Sequence, residues 1–160
     1  MRRGFHIVSK TQLRALAKNV LSRIARGWRA HLILLSGNLG SGKTTFVQMV
    51  AKQLGVRERV LSPTFVFVHE HEIFPKATRD KGHGTWAFKK LIHVDAYRIE
   101  TKRDFDAIGL SRYTKDSENL VLIEWGERIQ KWLPEPDLVV EFDHHRPHLR
   151  KVKVVSRIKK

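Results

Sequence analysis

The sequence contains no cysteine among its 160 residues, which excludes disulfides, thiolate zinc sites and a cysteine nucleophile. It has no run near the roughly 18 to 20 apolar residues of a membrane span. Its start, Met1-Arg2-Arg3-Gly4-Phe5, lacks an apolar signal-peptide core, so a cytoplasmic protein is expected. Negative charge is scarce: 16 Asp and Glu stand against 31 Lys and Arg, a formal net charge of +15, with a basic strand and tail over residues 146–160. Such a balance suits a polyanion partner such as RNA, or an acidic protein surface, and equally a solvated, self-repelling exterior. Charge alone identifies no substrate. Repeats and low-complexity linkers are also missing, and with 41% hydrophobic residues the expectation is one domain over residues 1–160.

What is present is ordered. Phe5 to Val8 reads as a strand, and Ser9-Lys10-Thr11-Gln12 as a capping box before the stripe Leu13, Leu16, Ala17, Val20, Leu21, Ile24, which Gly27 ends. Residues 30–35 are almost wholly apolar, as expected for the buried centre of a sheet. A second helix runs through Phe46, Val47, Val50 and Leu54 and closes at Gly55. "SPTFVFVHEHEI" and "KKLIHVDAYRI" predict strands that can pair as a hairpin around the polar stretch Pro75 to Lys89. A short helical piece near Arg103 to Ile108, the strand "LVLIEW", a turn or two of helix over "GERIQKWL", and a closing strand pair, "PDLVVEF" with "RKVKVVSRI", complete the chain. This order predicts an α/β fold whose mixed sheet has a parallel centre and helices alongside.

The strongest chemical signal is "SGNLGSGKTTF". Gly37, Gly42, Lys43 and Thr44 make the Gly-x-x-x-x-Gly-Lys-Thr pattern between a buried strand and a helix. Glycine lets backbone approach phosphate oxygens, so the amides from Asn38 through Leu39, Gly40, Ser41, Gly42 and Lys43 to Thr44 can point inward at a helix N-terminus. Lys43 is placed to reach β and γ phosphates, and Thr44 to offer its hydroxyl to Mg²⁺. Such a site needs a carboxylate at a neighbouring strand end. Glu124 closes the more apolar strand and is assigned to the metal; Asp95 is assigned a supporting or water-positioning part. Thr64, in Ser62-Pro63-Thr64-Phe65, is the candidate γ-phosphate sensor. Trp125 beside Glu124 is core, a nucleotide gate or a partner contact. His69, His71, His144, His145 and His148 read as surface polar residues, since no third metal ligand is fixed by spacing.

Taken in order, "GNLGSGKTTF", "SPTF", "HVDAYRIE", "IGL" followed by "RY", "LIEWGERI" and "LPEPDLVVEF" give a chain that resembles the TsaE (YjeE) family, small P-loop ATPases of tRNA threonylcarbamoyladenosine biosynthesis. The resemblance runs from about Val8 to Val155. It implies a compact P-loop NTPase domain binding ATP at Ser41, Gly42, Lys43, Thr44 and Thr45, with Mg²⁺ near Thr44 and Glu124. It also implies Thr64 in a switch segment, Thr11 near the base, and activity that needs Asp95 and Trp125. In the family, ATP hydrolysis resets the partner pair TsaD and TsaB between rounds of tRNA modification. Two departures stand out: Asn38 occupies a position where the family usually has aspartate, and the stretch from Glu72 to Lys89 is longer than the usual connection. The competing expectations are a small-molecule kinase, with Pro75 to Lys89 as a lid, and a basic RNA-binding module whose loop grips backbone phosphate.

Overall fold

The computed structural model describes residues 5–25, 31–63, 65–74 and 88–156. Seven strands form one sheet: β1 (His6–Ser9), β2 (Leu32–Ser36), β3 (Val68–Glu72), β4 (Lys90–Asp95), β5 (Asn119–Glu124), β6 (Leu138–Arg146) and β7 (Leu149–Ser156). Their order across the sheet is β1-β7-β6-β2-β5-β4-β3. The centre is parallel, with β2 between β5 and β6 and β4 outside β5; β1, β7 and β3 join antiparallel. This is the mixed α/β sheet expected from the element order.

Alternation along the central strands divides the core in two. Ile33, Leu35, Leu120 and Leu122 face α1 (Lys10–Ala25) and α2 (Lys43–Leu54), while Leu32, Leu34, Val121 and Ile123 face the other side. There they meet α3 (Lys102–Ile108), α4 (Leu110–Lys115) and α5 (Gly126–Ile129) through Phe105, Leu110, Tyr113 and Ile129. Helix α1 begins with the expected box: Ser9 N donates to Gln12 Oε1 at 2.8 Å, and Gln12 N to Ser9 Oγ at 3.3 Å. Thr101 and Asp104 cap α3 in the same way. The α1 and α2 segments contain no acid, and Lys10, Arg14 and Lys18 repeat every four residues along the exposed side of α1. Gly27, expected to end α1, lies outside the described residues, as do residues 75–87, most of the long connection, and residues 157–160 of the basic tail.

Three expectations change. The strand expected from Ser62 begins only at Val68, because Pro63 O accepts from both Val66 N and Phe67 N, closing a turn that Phe67 leaves at φ 65°. Helix α4 was not anticipated; it follows Gly109 at φ 70° directly on α3. His71 is buried rather than superficial, its Nδ1 2.5 Å from Glu58 Oε1.

Gly55 ends α2 at φ 88°, and a Cβ there would lie 2.0 Å from Phe74 O. Gly55→Ala is expected to lower stability by about 1–3 kcal/mol in urea unfolding, with nucleotide affinity unchanged because the position is remote from the loop. A stability within error of the parent would contradict this reading.

Candidate nucleotide site

Parallel pairing puts the ends of β2, β4 and β5 at one edge, where ligands bind in sheets of this kind. Leu35 is in register with Glu124, and Glu124 with Asp95, so a loop leaving β2 meets two carboxylates. Gly37 leaves the strand at φ 130°, and a Cβ on it would sit 2.1 Å from Phe142 O on β6. Only glycine passes that carbonyl, which explains the first fixed glycine of the motif in packing terms. Gly42, at φ 112°, caps α2 without a side-chain bond, leaving the first amides of the helix to the loop's interior.

The side chains then converge. Lys43 is buried; its Nζ donates to Gly37 O at 2.6 Å and Asn38 O at 3.0 Å, and stands 3.8 Å from the centre of the Trp125 ring. Burial lowers its pKa from the usual lysine value, opposed first by the charge of Glu124, then by Glu127 and Asp95. Thr44 Oγ1 donates to Glu124 Oε2 at 2.9 Å, and His93 Nε2 lies 2.8 Å from Glu124 Oε1. Asp95 accepts from Ser62 Oγ at 3.0 Å through Oδ2 and from Tyr97 N at 2.9 Å through Oδ1. Trp125 adopts φ 58°, ψ 33°, a left-handed conformation costing a non-glycine residue roughly 1–2 kcal/mol, and its half-buried ring packs 5.0 Å from that of Tyr97.

A cavity of about 400 Å³ opens over these groups. Of the sequence candidates, Leu39, Gly40, Gly42, Lys43, Thr44, Thr45, Asp95, Glu124 and Trp125 line it, joined by Ser62. Gly37, Asn38 and Ser41 belong to the loop without lining the cavity, and Ser41 is wholly buried. Thr11 is exposed on the first turn of α1, whereas its neighbours Ser9, Lys10 and Leu13 reach the cavity. Thr64 lies outside the described residues. Sequence reasoning missed His148 and Arg150, which the β6–β7 hairpin brings into the lining, and His144, whose Nε2 lies 2.8 Å from Leu39 O. Nothing local in "HHRPHLR" announces that. His93 was missed as well, although a histidine amid Leu91, Ile92 and Val94 was a visible anomaly.

The donor set fits Mg²⁺. That ion prefers oxygen and keeps several waters, and a hydroxyl and a carboxylate oxygen meet here beside a phosphate-sized cradle. Among the described residues no group of three or more histidines and acids can hold a metal, and Thr44 and Glu124 would leave most positions on such an ion to phosphate and water.

The geometry agrees with what the chain resembles. A sequence model described as "Threonylcarbamoyl adenosine biosynthesis protein TsaE" matches residues 7–152. The chain belongs to the TsaE family. Proteins named "tRNA threonylcarbamoyladenosine biosynthesis protein TsaE" match it from Aquifex aeolicus, at 37% identity over 80% of this chain and 79% of that one, and Streptomyces coelicolor, at 37% over 76% and 74%. The Haemophilus influenzae protein of the same name is 32% identical over 73% of this chain, a match spanning 65% of its own length. The crystal structure of Bacillus subtilis YdiB superposes with a TM-score of 0.62 at 22% identity, covering 95% of this chain and 86% of that one; at that identity it bears on the fold. Among the described residues no helix is long and apolar enough to cross a membrane.

A phosphate group in the cradle would compete with Gly37 O and Asn38 O for the Lys43 ammonium and draw it from the Trp125 ring. Titration with ATP is expected to change intrinsic fluorescence saturably, and Trp125→Phe to abolish the change. A signal that persists in Trp125→Phe would contradict the contact.

Proposed function

We propose that this TsaE family chain is a cytoplasmic ATPase whose hydrolysis cycle drives a TsaD and TsaB type pair in tRNA threonylcarbamoyladenosine biosynthesis. The observation that carries the reading is the 2.9 Å bond from the Thr44 hydroxyl to the Glu124 carboxylate beneath the glycine loop.

Loop amides hold the β-phosphate, and Lys43, freed from the two carbonyls, spans β and γ oxygens. Bound Mg²⁺ supplies neutralisation of the charge that develops on those oxygens. Thr44 and Glu124 hold the metal's side of the site. Asp95, steadied by Ser62 and the Tyr97 amide, orients the attacking water. The water oxygen bonds to the γ-phosphorus, the bridging oxygen leaves with ADP, and the released proton passes to the carboxylates and solvent. Ser9, Lys10, Leu13 and His148, which also line the cavity, are assigned to the nucleoside end, while Arg150, whose side chain lies against Gly42, stands beside the phosphate loop.

The coupling to partners starts at Ser62. Its bond to Asp95 ties the phosphate end to a turn that exposes Leu61, Phe65 and Val66, with Phe65 84% exposed and Tyr97 nearby at 48%. Apolar side chains held outward beside a catalytic carboxylate suit a partner that reads the state of the site. The acid-free α1 and α2 layer is the side that tolerates the tRNA polyanion in the assembly.

Lys43→Ala and Glu124→Gln are expected to leave the fold intact and lower ATP turnover about 100-fold or more, measured as phosphate release with the partners present. Intact hydrolysis in both would overturn the site. Reconstitution with TsaD and TsaB is expected to sustain repeated tRNA modification only with this chain and ATP; equal turnover without it would overturn the cycling role. Arg14→Glu with Lys18→Glu is expected to slow that turnover and flatten its salt dependence, and unchanged salt dependence would remove the polyanion-facing assignment.

A further inference from the structure

Glu124 accepts from Thr44 through Oε2, and its other oxygen is engaged as well. His93 lies on β4 one strand away, in register with Leu122, two residues before Glu124 on β5. Its side chain is 0% exposed and that of Glu124 4%, and the two meet at 2.8 Å through Nε2 and Oε1. A carboxylate oxygen can only accept, so Nε2 carries the hydrogen and the ring is held in one tautomer. Nδ1 is buried and has no hydrogen-bond partner among the described residues. Leaving a buried polar atom unpaired costs roughly 1–3 kcal/mol. An apolar residue would fill the same strand position between Ile92 and Val94 without that cost, so packing alone gives no reason for an imidazole there.

We infer that His93 is a positioning residue that fixes the rotation of the Glu124 carboxylate, so that Oε2 stays on Thr44 and faces the metal side of the site. This deepens the ATPase reading and rests on it. A carboxylate at the end of a strand turns about its terminal torsion with little resistance. Two donors on opposite oxygens, an imidazole N–H from β4 and a hydroxyl from α2, leave it one orientation. The imidazole comes from a buried strand rather than a loop, so its contact is expected to persist when the cavity fills. Groups behind a ligand that act this way commonly govern metal affinity and activity by about 10- to 100-fold.

The test compares His93→Leu, which deletes the donor, with His93→Gln, whose amide nitrogen reaches nearly the same point. Mn²⁺ affinity in the presence of a non-hydrolysable ATP analogue is read by electron paramagnetic resonance, beside kcat and KM for ATP hydrolysis. The expected result is a loss of about 10- to 100-fold in Mn²⁺ affinity and kcat for His93→Leu, metal-free nucleotide affinity within about twofold of the parent, and recovery of most of the loss in His93→Gln. In the parent chain, ¹⁵N spectra of the ring are expected to show hydrogen on Nε2 and a bare Nδ1. A folded His93→Leu that keeps the parent's Mn²⁺ affinity, or equal losses in both variants, overturns the inference. Should His93→Leu not fold, the ¹⁵N spectrum decides, and hydrogen on Nδ1 with a bare Nε2 overturns it. A parent chain that binds no metal–nucleotide overturns the ATPase reading itself, whereas a parent that binds normally beside indifferent variants sinks only the role of His93.

Discussion

The Glu124 carboxylate is the point on which the site closes. It ends the most buried strand of the sheet, and it joins three elements that are far apart in sequence: β5 itself, the loop helix through Thr44, and β4 through His93. Two hydrogen bonds from opposite sides are what make a buried acid tolerable at a strand end. They also translate strand register into chemistry, because sliding β5 by one residue would turn Glu124 to the other face of the sheet and put an apolar side chain in its place. The alternation that builds the two hydrophobic layers therefore aims the carboxylate as well.

A second tie runs outward. Asp95 lies beside Glu124 in the parallel ladder and reaches the surface through Ser62. Between them the two acids connect a buried end, in contact with His93, to an exposed apolar turn around Phe65. An arrangement that is buried at Glu124 and exposed around Phe65 agrees with the proposed switch better than with a kinase, which encloses an acceptor substrate before phosphoryl transfer. The left-handed backbone at Phe67 and Trp125 falls on either side of this connection, where strain is commonly held for function.

Much of this was legible in the residues. The glycine loop, the Ser9–Gln12 box, the Gly55 stop and the parallel centre rest on short-range rules: fixed spacings, φ > 0 positions and unbroken apolar runs. Glu124 and Asp95, which both line the cavity, stand out in the sequence because each follows such a run. The failures have long-range causes. "SPTFVFV" alternates like a strand, but Pro63 offers its carbonyl to two following amides and the chain turns instead. His71 reads as polar surface until Glu58, thirteen residues earlier, supplies its partner. His148 and Arg150 enter the cavity only because β6 pairs with β2 and carries the hairpin over the loop. His93 differs, since its signal was local: a lone imidazole in an apolar strand needs a buried partner, and Glu124, two residues past its ladder partner Leu122, supplies one.

The most direct measurement is a crystal structure with a non-hydrolysable ATP analogue and Mn²⁺ in place of Mg²⁺, with the metal located by its anomalous signal. The expected result is the triphosphate within the 37–45 loop, the metal beside the Thr44 hydroxyl on the Oε2 side of Glu124, and the His93 contact to Oε1 unchanged. A metal remote from Glu124, or a carboxylate rotated away from His93 to reach it, would contradict it.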